Sequence, residues 1–198
     1  MRKVETNNYW KGRAGMDIKA IVLHITDGTF NSALNTFTNP SSYVSAHYLL
    51  GRDDEIQLVD EKDSSWACGR VLSPKWKGLE YAKLSGVDIK KLKEYEGAER
   101  GEQGNILQPV WDKRLGGFEN VINPNLYTLN VEVASKGEFP NWSYWTKVAR
   151  FYKDLAEKHD LPLDAYHFVN HNEINSRKRC PGRWFNRFWM KMLIKYSL

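Results

Sequence analysis

Residues 19–26, KAIVLHIT, run straight into the turn-forming Asp27-Gly28-Thr29. The run is short, apolar and rich in branched side chains, which predicts a buried strand with His24 at its exit end. A second stretch of this kind is 126–134, LYTLNVEVA. Side chains alternate along a strand, so Asn130, Glu132 and Ala134 share one face and Val131 and Val133 the other. A carboxylate is therefore set in an otherwise apolar strand. An edge-strand carboxylate facing solvent is the plain explanation, but an unpaired buried charge is costly, and a functional Glu132 accounts for it better.

Outward from these strands the period changes. Residues 32–37, SALNTF, predict a short helix stopped at Asn39-Pro40, and VSAHYLLGRDDEIQLVD (44–60) reads as two strands joined at GRDDE. From Asn141 to His159 the apolar positions Trp145, Val148, Ala149, Tyr152, Leu155 and Ala156 recur every three or four residues, the mark of an amphipathic helix. A last helix is expected from about residue 183 to 196. Strands mixed with helices predict an α/β (α+β) fold, a central mixed β-sheet flanked by α-helices in two or three layers. One domain over residues 1–198 is expected, with the charged stretch 71–122, which includes EYEGAERGEQGN, as an exposed insertion.

With 41% hydrophobic and 13% aromatic residues the chain can bury a sizeable core, yet no run approaches the roughly 18 apolar residues of a membrane span. MRKVETNNYWKGR has no apolar signal core, so no export signal is expected. A net charge of +5 and a pI near 9.1 favour polyanionic partners without choosing among nucleic acid, anionic membrane and envelope phosphates. Two cysteines, Cys68 and Cys180, are too few for a disulfide scaffold.

The densest chemistry is at 171–182, HNEINSRKRCPG, where a histidine and a cysteine flank a polar, cation-rich loop. Imidazole and thiolate suit zinc, and Pro181-Gly182 would turn the chain behind the ligand. His24 is the best-placed third ligand, and three protein ligands leave the fourth tetrahedral position open.

The ordered series NYWKGR, IVLHITDGT, ALNTFTNP, SAHYLLGRDDEIQLV, SWACG, LNVEVA and HNEINSRKRCPG resembles the zinc N-acetylmuramoyl-L-alanine amidases of the phage lysozyme and peptidoglycan-recognition-protein superfamily, phage endolysins above all. It spans roughly residues 7–70 and 123–183. The resemblance implies a hydrolase that cuts peptidoglycan between N-acetylmuramic acid and L-alanine. It also implies Zn2+ held by His24, His171 and Cys180, a catalytic Glu132 in a motif like Ile-Gly-Ile-Glu, and an active-site Lys178. One departure stands out: relatives often read Trp-His-Ala-Gly where this chain has Trp66-Ala67-Cys68-Gly69. A monomer is expected, held in a host cytoplasm until lysis if it is a phage lysin, or acting outside the cell if it is an autolysin.

Simpler roles fit the other candidates. Glu173 reads as support for a ligand or as a solvated carboxylate, His47 as a core histidine, His159 as a helix C-cap, His167 as structural and Cys68 as an unpaired thiol. Arg183, Arg187, Lys191 and Lys195 form a basic stripe on the last helix that could meet envelope anions. Among rival functions, a zinc deaminase fails for want of a second cysteine after Cys180. A binding-only peptidoglycan module is disfavoured by Cys180, Glu132 and Lys178 together, and no nucleic-acid-reading motif is present.

Overall fold

The computed structural model describes residues 1–72, 75–76, 107–112, 117–136, 141–182, 192 and 195. Its strands are β1 (Arg2–Lys3), β2 (Tyr9–Trp10), β3 (Ala20–Ile25), β4 (Tyr48–Leu50), β5 (Glu55–Gln57), β6 (Ser64–Ser65), β7 (Leu107–Asp112), β8 (Gly117–Ile122), β9 (Thr128–Val133) and β10 (Phe168–Asn170). The α-helices are α1 (Phe30–Thr38), α2 (Trp142–Lys158) and α3 (His171–Ile174).

Six strands form the main sheet in the order β1-β5-β4-β9-β3-β10. Only the β4–β5 hairpin is antiparallel, so the expected mixed sheet is present. The two stretches that set the fold, β3 and β9, lie side by side in parallel at its centre. Their register places His24 opposite Glu132 and Val22 opposite Asn130. Partners in a parallel register project from the same face, so a metal-capable imidazole and a carboxylate are neighbours through backbone pairing alone.

The other face is apolar. Ile21, Leu23, Leu129, Val131 and Val133 pack against Trp145, Val148, Ala149, Tyr152 and Leu155 of α2. Each fully buried large side chain of this kind contributes roughly 1.5–3 kcal/mol. Asn141 caps α2 by accepting from Tyr144 N–H at 2.9 Å. Tyr152 Oη donates to Val131 O at 3.2 Å, tying the helix to β9.

On the face that carries His24, α1 packs Ala33 and Phe37 over Leu49 and Ile56. A second cluster joins Val22 and Val169 to Trp10, Trp66, Trp76, Tyr127 and Ile174. The result is three layers.

The stretch expected as an insertion is anchored at both ends. Leu72 bridges to Asn175, and Trp76 stacks on Tyr127 at 5.9 Å. Residues 107–122 include the antiparallel ribbon β7–β8, whose Val121 and Ile122 enter the core. β7 contains Pro109, a residue uncommon inside strands. EYEGAERGEQGN lies outside the described residues. So do Arg183, Arg187 and Lys191 of the basic stripe; Lys195 is exposed. No described helix is long and apolar enough to cross a membrane.

Candidate metal centre

The centre forms where β3 and β10 end. Both strands run parallel, so their C-terminal ends deliver His24 and, one residue past β10, His171 to the same place. Both histidines are buried. Glu173 holds the start of α3 by accepting from Asn170 N–H at 2.9 Å, so it supports the turn that carries His171. Beyond α3 the chain returns, and Asn172 N–H donates to Cys180 O at 2.9 Å, which brings the thiol back to the sheet. Gly182, at φ 75°, follows Pro181 in the sharp turn expected there.

His24 Nδ1 and His171 Nδ1 are 3.0 Å apart. With Cys180 Sγ, the three potential ligand atoms lie within 4.8 Å of one another. Each ring uses its other nitrogen elsewhere: His24 Nε2 faces Asn130 Oδ1 at 3.1 Å, and His171 Nε2 faces Cys68 O at 3.0 Å. Both outer partners are acceptors, so both Nε2 atoms donate and both Nδ1 atoms turn lone pairs toward each other. Burial is the main reason both imidazoles stay neutral, with His24 well below its ordinary range and His171 lowered to about 4. Two opposed lone pairs call for a cation between them. Nitrogens bound to one zinc at about 2.0–2.1 Å stand roughly 3.3 Å apart at the tetrahedral angle, close to the separation seen.

Cys180 Sγ accepts from Ile25 N–H at 3.0 Å. Burial, with Glu132 nearby, pushes this thiol well above its ordinary range. It would ionise readily only beside a cation, so an N, N, S donor set fits zinc. Both cysteines are free, and Cys68 is buried.

Glu132 completes the group. Its Oε1 lies 3.9 Å from His24 Nδ1, its side chain is only 13% exposed, and Oε2 has no hydrogen-bond partner in the described structure. Burial raises its carboxyl to about 8, partly offset by the charge of Lys178. β9 is an interior strand, which removes the solvent-facing alternative. His24, Glu132, His171, Lys178 and Cys180 all line one cavity of about 320 Å³, with Ala67 on its wall. A larger groove of about 790 Å³ runs along α2 past Trp142 and Arg150 and touches none of these five residues.

The model of a family described as N-acetylmuramoyl-L-alanine amidase matches residues 14–183. The chain belongs to that family. A curated relative, N-acetylmuramoyl-L-alanine amidase A of Achromobacter lyticus, is 33% identical over 63 residues, 31% of this chain. The match spans 34% of that relative's own length. Among solved structures, a point mutant of PlyL superposes with a TM-score of 0.59 at 17% identity, covering 99% of this chain and 98% of that one. A mutant endolysin from Bacillus subtilis gives 0.56 at 16% identity, over 98% and 99%. AmiD of E. coli, solved with anhydro-N-acetylmuramic acid-L-Ala-D-gamma-Glu-L-Lys, gives 0.55 at 18% identity, over 89% of this chain and 57% of that one. These structures share the fold of this family member.

The remaining histidines are structural. His47 is fully buried and bonded to Asp63 O and Ser65. His159 is the C-cap residue of α2, and His167 pairs with Asp164 at 2.7 Å. Two functional neighbours escaped the sequence reading. The carbonyl that sets His171 belongs to Cys68, and no side-chain pattern signals a carbonyl. Asn130 was visible as a polar residue on the Glu132 face, but its role needed the register with β3.

Proposed function

We propose that this chain is a zinc-dependent amidase that hydrolyses the bond between N-acetylmuramic acid and L-alanine in bacterial peptidoglycan. One observation carries the reading: the carboxylate of Glu132, mostly buried and with Oε2 lacking a hydrogen-bond partner among the described residues, lies 3.9 Å from one of two histidines whose lone pairs converge beside Cys180. Family membership, and the substrate-like ligand solved with AmiD, support the choice of bond.

His24, His171 and Cys180 would hold the ion, which when bound supplies a Lewis acid for the scissile carbonyl and an acidified water. Glu132 takes the proton of the attacking water and returns it to the leaving amine of L-alanine. Its raised proton affinity suits both halves of that exchange. Lys178 offers a cation to the oxyanion that develops on the carbonyl. Burial of both histidines shields them from bulk water. The sugar and stem peptide would lie in the cavity that Ala67 borders, without the imidazole of the Trp-His-Ala-Gly motif. The basic stripe would add contact with anionic envelope polymers, and release at phage lysis is the cellular setting we favour.

The test is digestion of purified peptidoglycan. Newly exposed L-alanine amino ends, lost on chelation and regained with Zn2+, are expected. Release of reducing sugar instead would make the chain a glycosidase, hydrolysis that persists after thorough chelation would end the zinc mechanism, and binding without cleavage would leave a wall-binding module.

A further inference from the structure

Behind the ligands runs a buried hydrogen-bond chain whose direction can be worked out bond by bond. The backbone N–H of Asn130 can only donate, and it meets His47 Nδ1 at 3.0 Å. That nitrogen is therefore an acceptor, and the His47 proton sits on Nε2, facing Asp63 O at 3.1 Å. Arg13 Nη2, itself only a donor, lies 2.8 Å from the same Nε2 and gains no hydrogen bond there, but moving the proton to Nδ1 would set it against the Asn130 N–H and leave Asp63 O without a donor. Ser65 Oγ shares the Nδ1 lone pair as a second donor to His47 at 2.9 Å, and its own lone pairs accept from Asn130 Nδ2, also at 2.9 Å. The Asn130 amide is thereby turned with Oδ1 toward His24. Cys68 Sγ donates to that same Oδ1 at 3.1 Å and reinforces the orientation. His47, Ser65, Cys68 and Asn130 are all completely buried, so water cannot substitute for any of these bonds.

Two members of the chain depart from the family's motifs. Against the motifs Ile-Gly-Ile-Glu and Trp-His-Ala-Gly, the residues here are Leu129-Asn130-Val131-Glu132 and Trp66-Ala67-Cys68-Gly69. The motif glycine and alanine carry neither an amide nor a thiol. Here both positions hold larger polar side chains, and the two touch each other.

We infer that Asn130, oriented by Ser65 and Cys68, is a positioning residue that fixes His24 in the Nε2–H tautomer and so presents Nδ1 to the metal. The inference rests on the zinc reading for its consequence but not for its geometry. Ring-15N NMR of the metal-free protein reports the tautomer, and competition with a chromophoric chelator reports zinc affinity. The wild type should show His24 as Nε2–H. Asn130→Leu should give mixed tautomers and weaken zinc by about 10- to 100-fold. Asn130→Asp keeps an acceptor and should hold the tautomer, with an affinity nearer the wild type than the leucine variant. Ser65→Ala leaves His24 and Asn130 in place, so it serves if Asn130→Leu fails to fold, and it should shift both readouts in the same direction by less. A pure Nε2–H tautomer with unchanged zinc affinity in Asn130→Leu, or in Ser65→Ala where the leucine variant does not fold, would overturn the inference. Failure of the wild type to bind zinc would overturn the metal reading instead, while the NMR would still decide the tautomer.

Discussion

Replacing Glu132 by glutamine should make the metal-free protein more stable while abolishing hydrolysis. An ordinary carboxyl titrates near 4.5, and burial lifts that of Glu132 to about 8. Its pKa is higher folded than unfolded, so the folded state keeps the proton longer. Stability is lost as pH rises from the lower value to the higher and levels off beyond it. At about 1.4 kcal/mol per pKa unit, the loss comes to about 1 kcal/mol at pH 5, about 3 at pH 7 and nearly 5 above pH 9. Glutamine has the same shape and cannot ionise, so Glu132→Gln escapes this cost. In a chain of this length 1 kcal/mol moves Tm by about 2–4 °C, so the variant should melt roughly 6–12 °C higher at pH 7 but only about 2–4 °C higher at pH 5. Calorimetry on chelated wild type and variant from pH 5 to pH 8 would measure the gap directly. All other titrating groups are common to both proteins, so the pH dependence of the difference belongs to Glu132. A gap that does not change with pH, or a variant less stable throughout, would refute the assignment of a desolvated carboxyl. Restoring zinc should narrow the gap, because a nearby dication favours the ionised carboxylate.

Lys178→Ala should slow turnover on a soluble muropeptide by about a hundredfold, the usual loss of one oxyanion contact, with zinc affinity retained in a chelator competition. Arg13 is buried and gives its protons to Glu61 O, Leu126 O and Thr128 O at 2.6–3.2 Å. Arg13→Met would strand those carbonyls and should cost about 3–5 kcal/mol, read as a lower urea midpoint at unchanged slope.

What could be read from the chain alone followed the range of the forces involved. The β3 strand, the β4–β5 hairpin and helix α2 are local, and their two- and 3.6-residue periods are written into neighbouring residues. His24, His171 and Cys180 were legible by type and order. Which nitrogen of each histidine faces the site was not, because Asn130 Oδ1 and Cys68 O decide it from 106 and 103 residues away in sequence. The adjacency of β3 and β9 was equally hidden, since parallel pairing leaves no turn signature. Nothing local marks Arg13 for burial, since the carbonyls that hold it lie 48, 113 and 115 residues away in sequence. β7 is the opposite case, a strand that forms by pairing with β8 although Pro109 gives it a poor local strand signal.

His24 and His171 are 147 residues apart, yet their Nδ1 atoms meet. An ion bound there would close a ring of chain longer than most disulfides span, and a covalent link over about 100 residues is worth on the order of 4–5 kcal/mol in lost unfolded-state freedom. Metal supply would then govern durability as well as chemistry. Among the described residues β10 is an edge strand paired with β3 alone. Where zinc is scarce, that edge and the turn leading to Cys180 should be the first parts to exchange amide hydrogens and the first cut by proteases, so the protein's lifetime would track the free zinc around it.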